Sequence, residues 1–197
     1  MARTAFLYPK RGIDLGTRVH ALPADGSVPA MPGWRWIHTP GHSPGHVSLF
    51  RDSDRVLIAG DAFITQKQES FWGVMTRHQR VHGPPRYFTQ DWERARDSVQ
   101  RLAKLNPSVA ATGHGVPMRN PRLDHELNEL ARHFDELAVP ADGRYVRQPA
   151  VADERGTVSV PPAVPDPWPK VAAVVAVAAV GFGVAAYLRR RRSERWA

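Results

Sequence analysis

The stretch HTPGHSPGH, residues 38–46, sets three histidines on a loop stiffened by Pro40 and Pro44 and freed by Gly41 and Gly45. Imidazoles on so short a constrained loop suit metal coordination. Two further positions extend the pattern. Asp61 follows Gly60 in the apolar run RVLIAGDAF (55–63), and His114 lies between Gly113 and Gly115 in SVAATGHG (108–115). Glycine beside a strand end lets backbone pack closely while neighbouring side chains converge on an ion. The chain has no cysteine, so disulfides and thiolate sites are excluded and the donors must be His, Asp or Glu. Imidazole nitrogen and carboxylate oxygen suit Zn2+, Mn2+ or Fe2+. His20, His38, His78, His82, His125 and His133 lack such a setting and read as surface or internally satisfied histidines. The basic stretch 76–86 reads as a solvated loop.

The elements that must hold these residues follow from the apolar pattern. TRVHALPADGSV (17–28) reads as a short strand and a turn at Asp25-Gly26. WRWIHT (34–39) and HVSLF (46–50) alternate as strands. Run 55–63 is almost continuously apolar, the mark of a strand buried on both faces. Three such strands with tight turns predict an antiparallel sheet. Trp92, Ala95, Val99 and Leu102 share one face of a helix over 91–106, capped by Thr89 or Asp91. A buried strand ends at His114. A second helix spans 120–138, with Asn120 as cap, Pro121 first, and a stripe of Leu123, Leu127, Leu130, Phe134 and Leu137. The order implies an α/β fold, a sheet covered by helices.

Beyond residue 138 the character changes. Residues 139–169 read as an edge segment and a Pro-rich linker. The run 170–188 holds 18 uncharged residues, VAAVVAVAAVGFGVAAYL (171–188), flanked by Trp168 and Tyr187. A helix of that length spans roughly 27 Å, which predicts a transmembrane helix. A basic tail, 189–197, follows. Its five arginines less Glu194 carry +4 of the chain's net charge of +8. The basic balance is thus concentrated beside the apolar run, and no nucleic acid partner is expected. MARTAFLYPKRGIDLG has no apolar core of a secretory signal, which favours a cytoplasmic folded part anchored by its C-terminal helix.

HTPGHSPGH, VLIAGDAF and ATGHG, in that order, resemble the metallo-β-lactamase superfamily, particularly its glyoxalase II-like hydrolases. The likeness covers roughly residues 15–135. It implies the second half of an αββα sandwich, a partial domain over 1–138. It also implies a zinc site of two ions, with Mn2+ or Fe2+ as substitutes. His46 and His114 are then expected as ligands, and Asp61 as the bridging, catalytic carboxylate. His42 is expected to hydrogen-bond within the loop. The implied reaction is hydrolysis of a small-molecule ester, thioester, lactam or phosphodiester by an activated water. The family's H-x-H-x-D-H motif has no counterpart in this chain. Half of the usual ligands are then lacking and activity is expected to be impaired. The sheet face that the other half would cover is expected to be exposed and open to self-association. The rival reading is a non-catalytic, membrane-tethered binding or scaffold module.

Overall fold

The computed structural model describes residues 15–66, 79–153 and 156–164. Compact packing divides the chain into Met1–Pro162 and Ala163–Ala197, and almost all of the second unit lies outside the described residues. The folded unit therefore runs past the boundary expected at residue 138. Val139 and Val146 pack against its core, and the amide N–H of Ala150 donates to the carbonyl of Gln90. The apolar run 171–188 also lies outside the described residues. Among the described residues no helix is long and apolar enough to cross a membrane.

The expected strands form at the alternating segments: β1 (Trp34–His38), β2 (Val47–Arg51) and β3 (Val56–Gly60). They pair antiparallel, with Trp36 opposite Leu49 and Leu49 opposite Ile58. Helix α1 (Trp92–Ala103) then carries the chain to β4 (Val109–Thr112), which runs parallel to β3. The short β5 (Met118–Arg119) closes a sheet of order β1-β2-β3-β4-β5. Helices α2 (Arg122–Arg132) and α3 (Phe134–Leu137) follow, and a hairpin of β6 (Val151–Asp153) and β7 (Gly156–Ser159) forms a separate small sheet.

One face of the large sheet holds the core. Ile37, Phe50, Leu57, Ala59 and Ala110 from the strands cluster with Trp92, Ala95, Val99 and Leu102 of α1 and Leu123, Leu127 and Leu130 of α2. Strand residues alternate between faces, so Trp34, Trp36, Leu49, Val56 and Ile58 occupy the other side. They are half-buried. The expectation that 55–63 is buried on both faces is thus corrected. Only Leu57 and Ala59 of β3 are sealed, because the helices cover one side alone.

Other boundaries shift for local reasons. Residues 17–22 form no strand: a 3-10 turn occupies Gly16–Arg18, and Asp25 Oδ1 accepts the Ser27 amide in the turn that follows. Asp91, not Thr89, caps α1 by accepting the Arg94 amide at 2.9 Å. Thr89 Oγ1 instead donates to the Pro85 carbonyl. Asn120 Oδ1 accepts the Asp124 amide, but helical geometry starts at Arg122. The second helix breaks at His133, so Leu137 falls off the apolar stripe and is 41% exposed.

Candidate metal centre

Asp61 reaches its position through an irregularity in the parallel pairing. Ile58 faces Ala111, yet Gly60 faces Thr112, so Ala59 is an extra residue on β3. Gly60 then turns with φ of +56°, a conformation that favours glycine. A side chain at Gly60 would also strike the ring of His46, 2.6 Å from its Nε2. The kink delivers Asp61 alongside Gly113, whose missing Cβ leaves the room that Asp61 Oδ1 occupies; a Cβ there would sit 2.2 Å from that oxygen.

His42 and His114 both approach the Asp61 carboxylate. Nε2 of His42 lies 3.5 Å from Asp61 Oδ2, and Nε2 of His114 lies 3.7 Å from the same oxygen. These gaps are long for hydrogen bonds. A tetrahedral ion with ligand distances near 2.1 Å would hold neighbouring donor atoms about 3.4 Å apart. Oδ1 of Asp61 is buried with no hydrogen-bond partner, as is Nδ1 of His42. Among the described residues, no three His, Cys, Asp or Glu side chains already form a group that could hold an ion. The donor chemistry and the orphaned carboxylate oxygen fit part of a cation's shell, its remainder coming from water or other groups.

His46 has a different position. Its Nε2 accepts the backbone N–H of Asp61 at 3.0 Å. Its Nδ1 lies 2.9 Å from the hydroxyl of Thr39 and 3.1 Å from the Thr39 carbonyl. Both ring nitrogens are engaged inside the protein, and of the two histidines it is His42 whose ring nitrogen faces the Asp61 carboxylate. His42 turns a nitrogen toward the carboxylate; His46 supports the carboxylate's backbone. The two rings meet edge-on, with centroids 6.1 Å apart.

Burial is the main influence on both imidazoles and pushes both below the usual histidine range. For His42 the Asp61 carboxylate opposes this and nearby His114 adds to it. A neutral imidazole keeps the lone pair that a cation needs. His114 is more open, its side chain 40% exposed against 18% for His42. Its backbone is nevertheless clamped. The His114 carbonyl accepts from the Thr65 amide at 3.1 Å and from the Thr112 hydroxyl at 2.8 Å. The sequence reading missed these threonines. Full burial of Thr65 between polar partners becomes evident only with the fold.

Among the described residues, none of the remaining histidines is paired with Asp61. His20, His125 and His133 are exposed, and His38 Nε2 bonds the Pro44 carbonyl at 2.8 Å. His78 and most of the 76–86 stretch's opening lie outside the described residues.

The family model "Metallo-beta-lactamase superfamily" matches residues 3–114. The chain is 49% identical over 137 residues to the probable metallo-hydrolase YflN of Bacillus subtilis (strain 168), covering 70% of this chain and 52% of that one. It is 36% identical over 81 residues to the probable metallo-hydrolase YybB of the same organism, covering 41% of this chain and 32% of that one. It thus spans about half, or less, of the length of these relatives. Among solved structures, a metallo-beta-lactamase family protein from Thermus thermophilus is 27% identical, with a TM-score of 0.35 over 52% of this chain and 30% of that chain. TTHA1623, solved in a di-iron-bound form, is 25% identical, with a TM-score of 0.38 over 63% of this chain and 49% of that chain.

Proposed function

We propose, from the premise that the chain belongs to the metallo-beta-lactamase superfamily, that it carries part of the metal centre of a metal-dependent hydrolase. The observation that supports this reading is the approach of His42 and His114 to one oxygen of Asp61, with the other oxygen buried and unpartnered. His42, Asp61 and His114 would hold the cation. Two imidazoles and a carboxylate suit zinc, iron or manganese alike. A divalent cation there supplies Lewis acidity and a nucleophilic water at neutral pH.

The chain's own residues do the rest. Gly60 and Gly113 let the Asp61 carboxylate sit near two imidazoles. Burial keeps His42 neutral. The open side of His114 admits substrate. The substrate class is a small molecule with a scissile ester, thioester, lactam or phosphodiester bond. The run 171–188 would tether this unit to a membrane, with the following arginines at the anionic surface.

The test uses the full chain and its Asp61→Asn variant. Both are loaded with Zn2+ or Fe2+, dialysed, assayed for bound metal by elemental analysis, and offered one substrate of each bond type. Bound metal and hydrolysis by the full chain, both lost in Asp61→Asn, are the expected results. Equal metal content in the two proteins would overturn the ligand assignment. A full chain that takes up no metal but floats with anionic vesicles would instead mark a membrane-tethered binding module.

A further inference from the structure

Asp61 is held by a chain of hydrogen bonds that starts at the residue displaced from the sheet register. The Ser48 hydroxyl donates to the Ala59 carbonyl at 3.0 Å. Its one hydrogen used, Ser48 Oγ can only accept from Thr39 Oγ1, 2.9 Å away. Thr39 Oγ1 must then accept from Nδ1 of His46. The Thr39 carbonyl, an acceptor only, asks for the same proton on Nδ1. Nε2 is left with its lone pair, and the Asp61 N–H points at it. Every donor meets an acceptor in one direction only. The other tautomer would set two N–H groups head to head at Asp61 and a lone pair against a carbonyl at Thr39.

The chain ties together both sides of the Gly60 kink: the carbonyl of Ala59 before it and the amide of Asp61 after it. Thr39 and Ser48 are fully buried, so no water competes for these bonds. We propose that Ser48, Thr39 and His46 form a buried positioning relay that locks His46 as the Nδ1–H tautomer, fixes the Gly60 kink and aims the Asp61 carboxylate. The aim at a metal rests on the proposed function; the relay does not.

The full chain, metal-free and labelled with 15N, provides the test. Long-range imidazole spectra should show His46 with Nδ1 protonated and Nε2 bare. In Thr39→Val, which keeps shape and removes the hydroxyl, the Asp61 amide should exchange with solvent on the order of 10-fold faster relative to Leu57 of β3. Thr39→Ser should restore it. Ser48→Ala provides the same reading should Thr39→Val not fold. Co2+ affinity should fall on the order of 10-fold in Thr39→Val and recover in Thr39→Ser. A protonated Nε2 in the unmodified chain, or Asp61 exchange moving only in step with Leu57, overturns the relay. Failure of the unmodified chain to bind Co2+ would sink the metal reading, while tautomer and exchange still decide the relay.

Discussion

Asp61 presents its carboxylate to His42 and its backbone amide to His46, at 3.5 Å and 3.0 Å respectively. Two histidines four residues apart thus serve one aspartate in different ways, and their substitutions should separate. His42→Ala should abolish metal uptake with little change in metal-free stability, because Nδ1 of His42 has no partner to lose. His46→Ala should leave the Asp61 amide without its acceptor and take the Nδ1–H donor away from Thr39, costing about 1–3 kcal/mol. Elemental analysis and urea unfolding of both variants check this. A large stability loss in His42→Ala alone would reverse the assignment.

Gly113→Ala should disturb the site more than the fold. Its Cβ would overlap Asp61 Oδ1, and relieving that contact should cost about 1–3 kcal/mol. Metal affinity should drop more than tenfold, as titration with a coloured competitor chelator would show.

The metal-free protein should lose stability in mild acid. The unfolded imidazoles of His42 and His46 take up protons at the ordinary histidine value of 6.5, and burial depresses both in the folded state. The unfolded chain therefore binds more protons over the intervening range, and stability falls with falling pH. Above pH 6.5 their contribution is complete; it drains away toward the folded values. Urea midpoints at about pH 7.5 and about pH 5 should differ in that order. In His42→Ala the part of the difference due to that residue should vanish.

Asp91→Ala should lower stability by about 1 kcal/mol through loss of the α1 cap. The Asp91 amide, which also donates to the Gly41 carbonyl, remains in that variant. Thermal unfolding reads the loss of the cap together with that of the ion pair to the Arg94 guanidinium, 3.6 Å from Asp91 Oδ2.

Much of this was legible beforehand. The three antiparallel strands and both main helices follow from apolar spacing, and glycine at strand ends pointed to the place where the Asp61 and His114 side chains approach each other. The choice between His42 and His46 did not follow from the motif, because a turn with two prolines and two glycines does not declare which way its side chains face. Strand parity carries the signal. Ser48 and Phe50 are sealed on the helix-covered side, so His46, two residues before Ser48, shares that side. The register agrees, since the Thr39 amide donates to the His46 carbonyl just beyond β1 and β2. The misread burial of β3 had another cause. Val56 and Ile58 are apolar and half-buried on the face away from the helices, and composition alone does not say how many layers lie on a sheet.

Helix α1 and the two residues before it grip the His42 loop. The Gln90 and Asp91 amides reach the carbonyl of Gly41, the Ser98 hydroxyl that of Pro40, and the Arg101 guanidinium that of His38. The loop rides on the helix as a tool on a lever arm. Tilting α1 would swing the His42 imidazole against an aspartate anchored in the sheet, so repacking at Leu102, far along the helix, should be felt as a change in metal affinity.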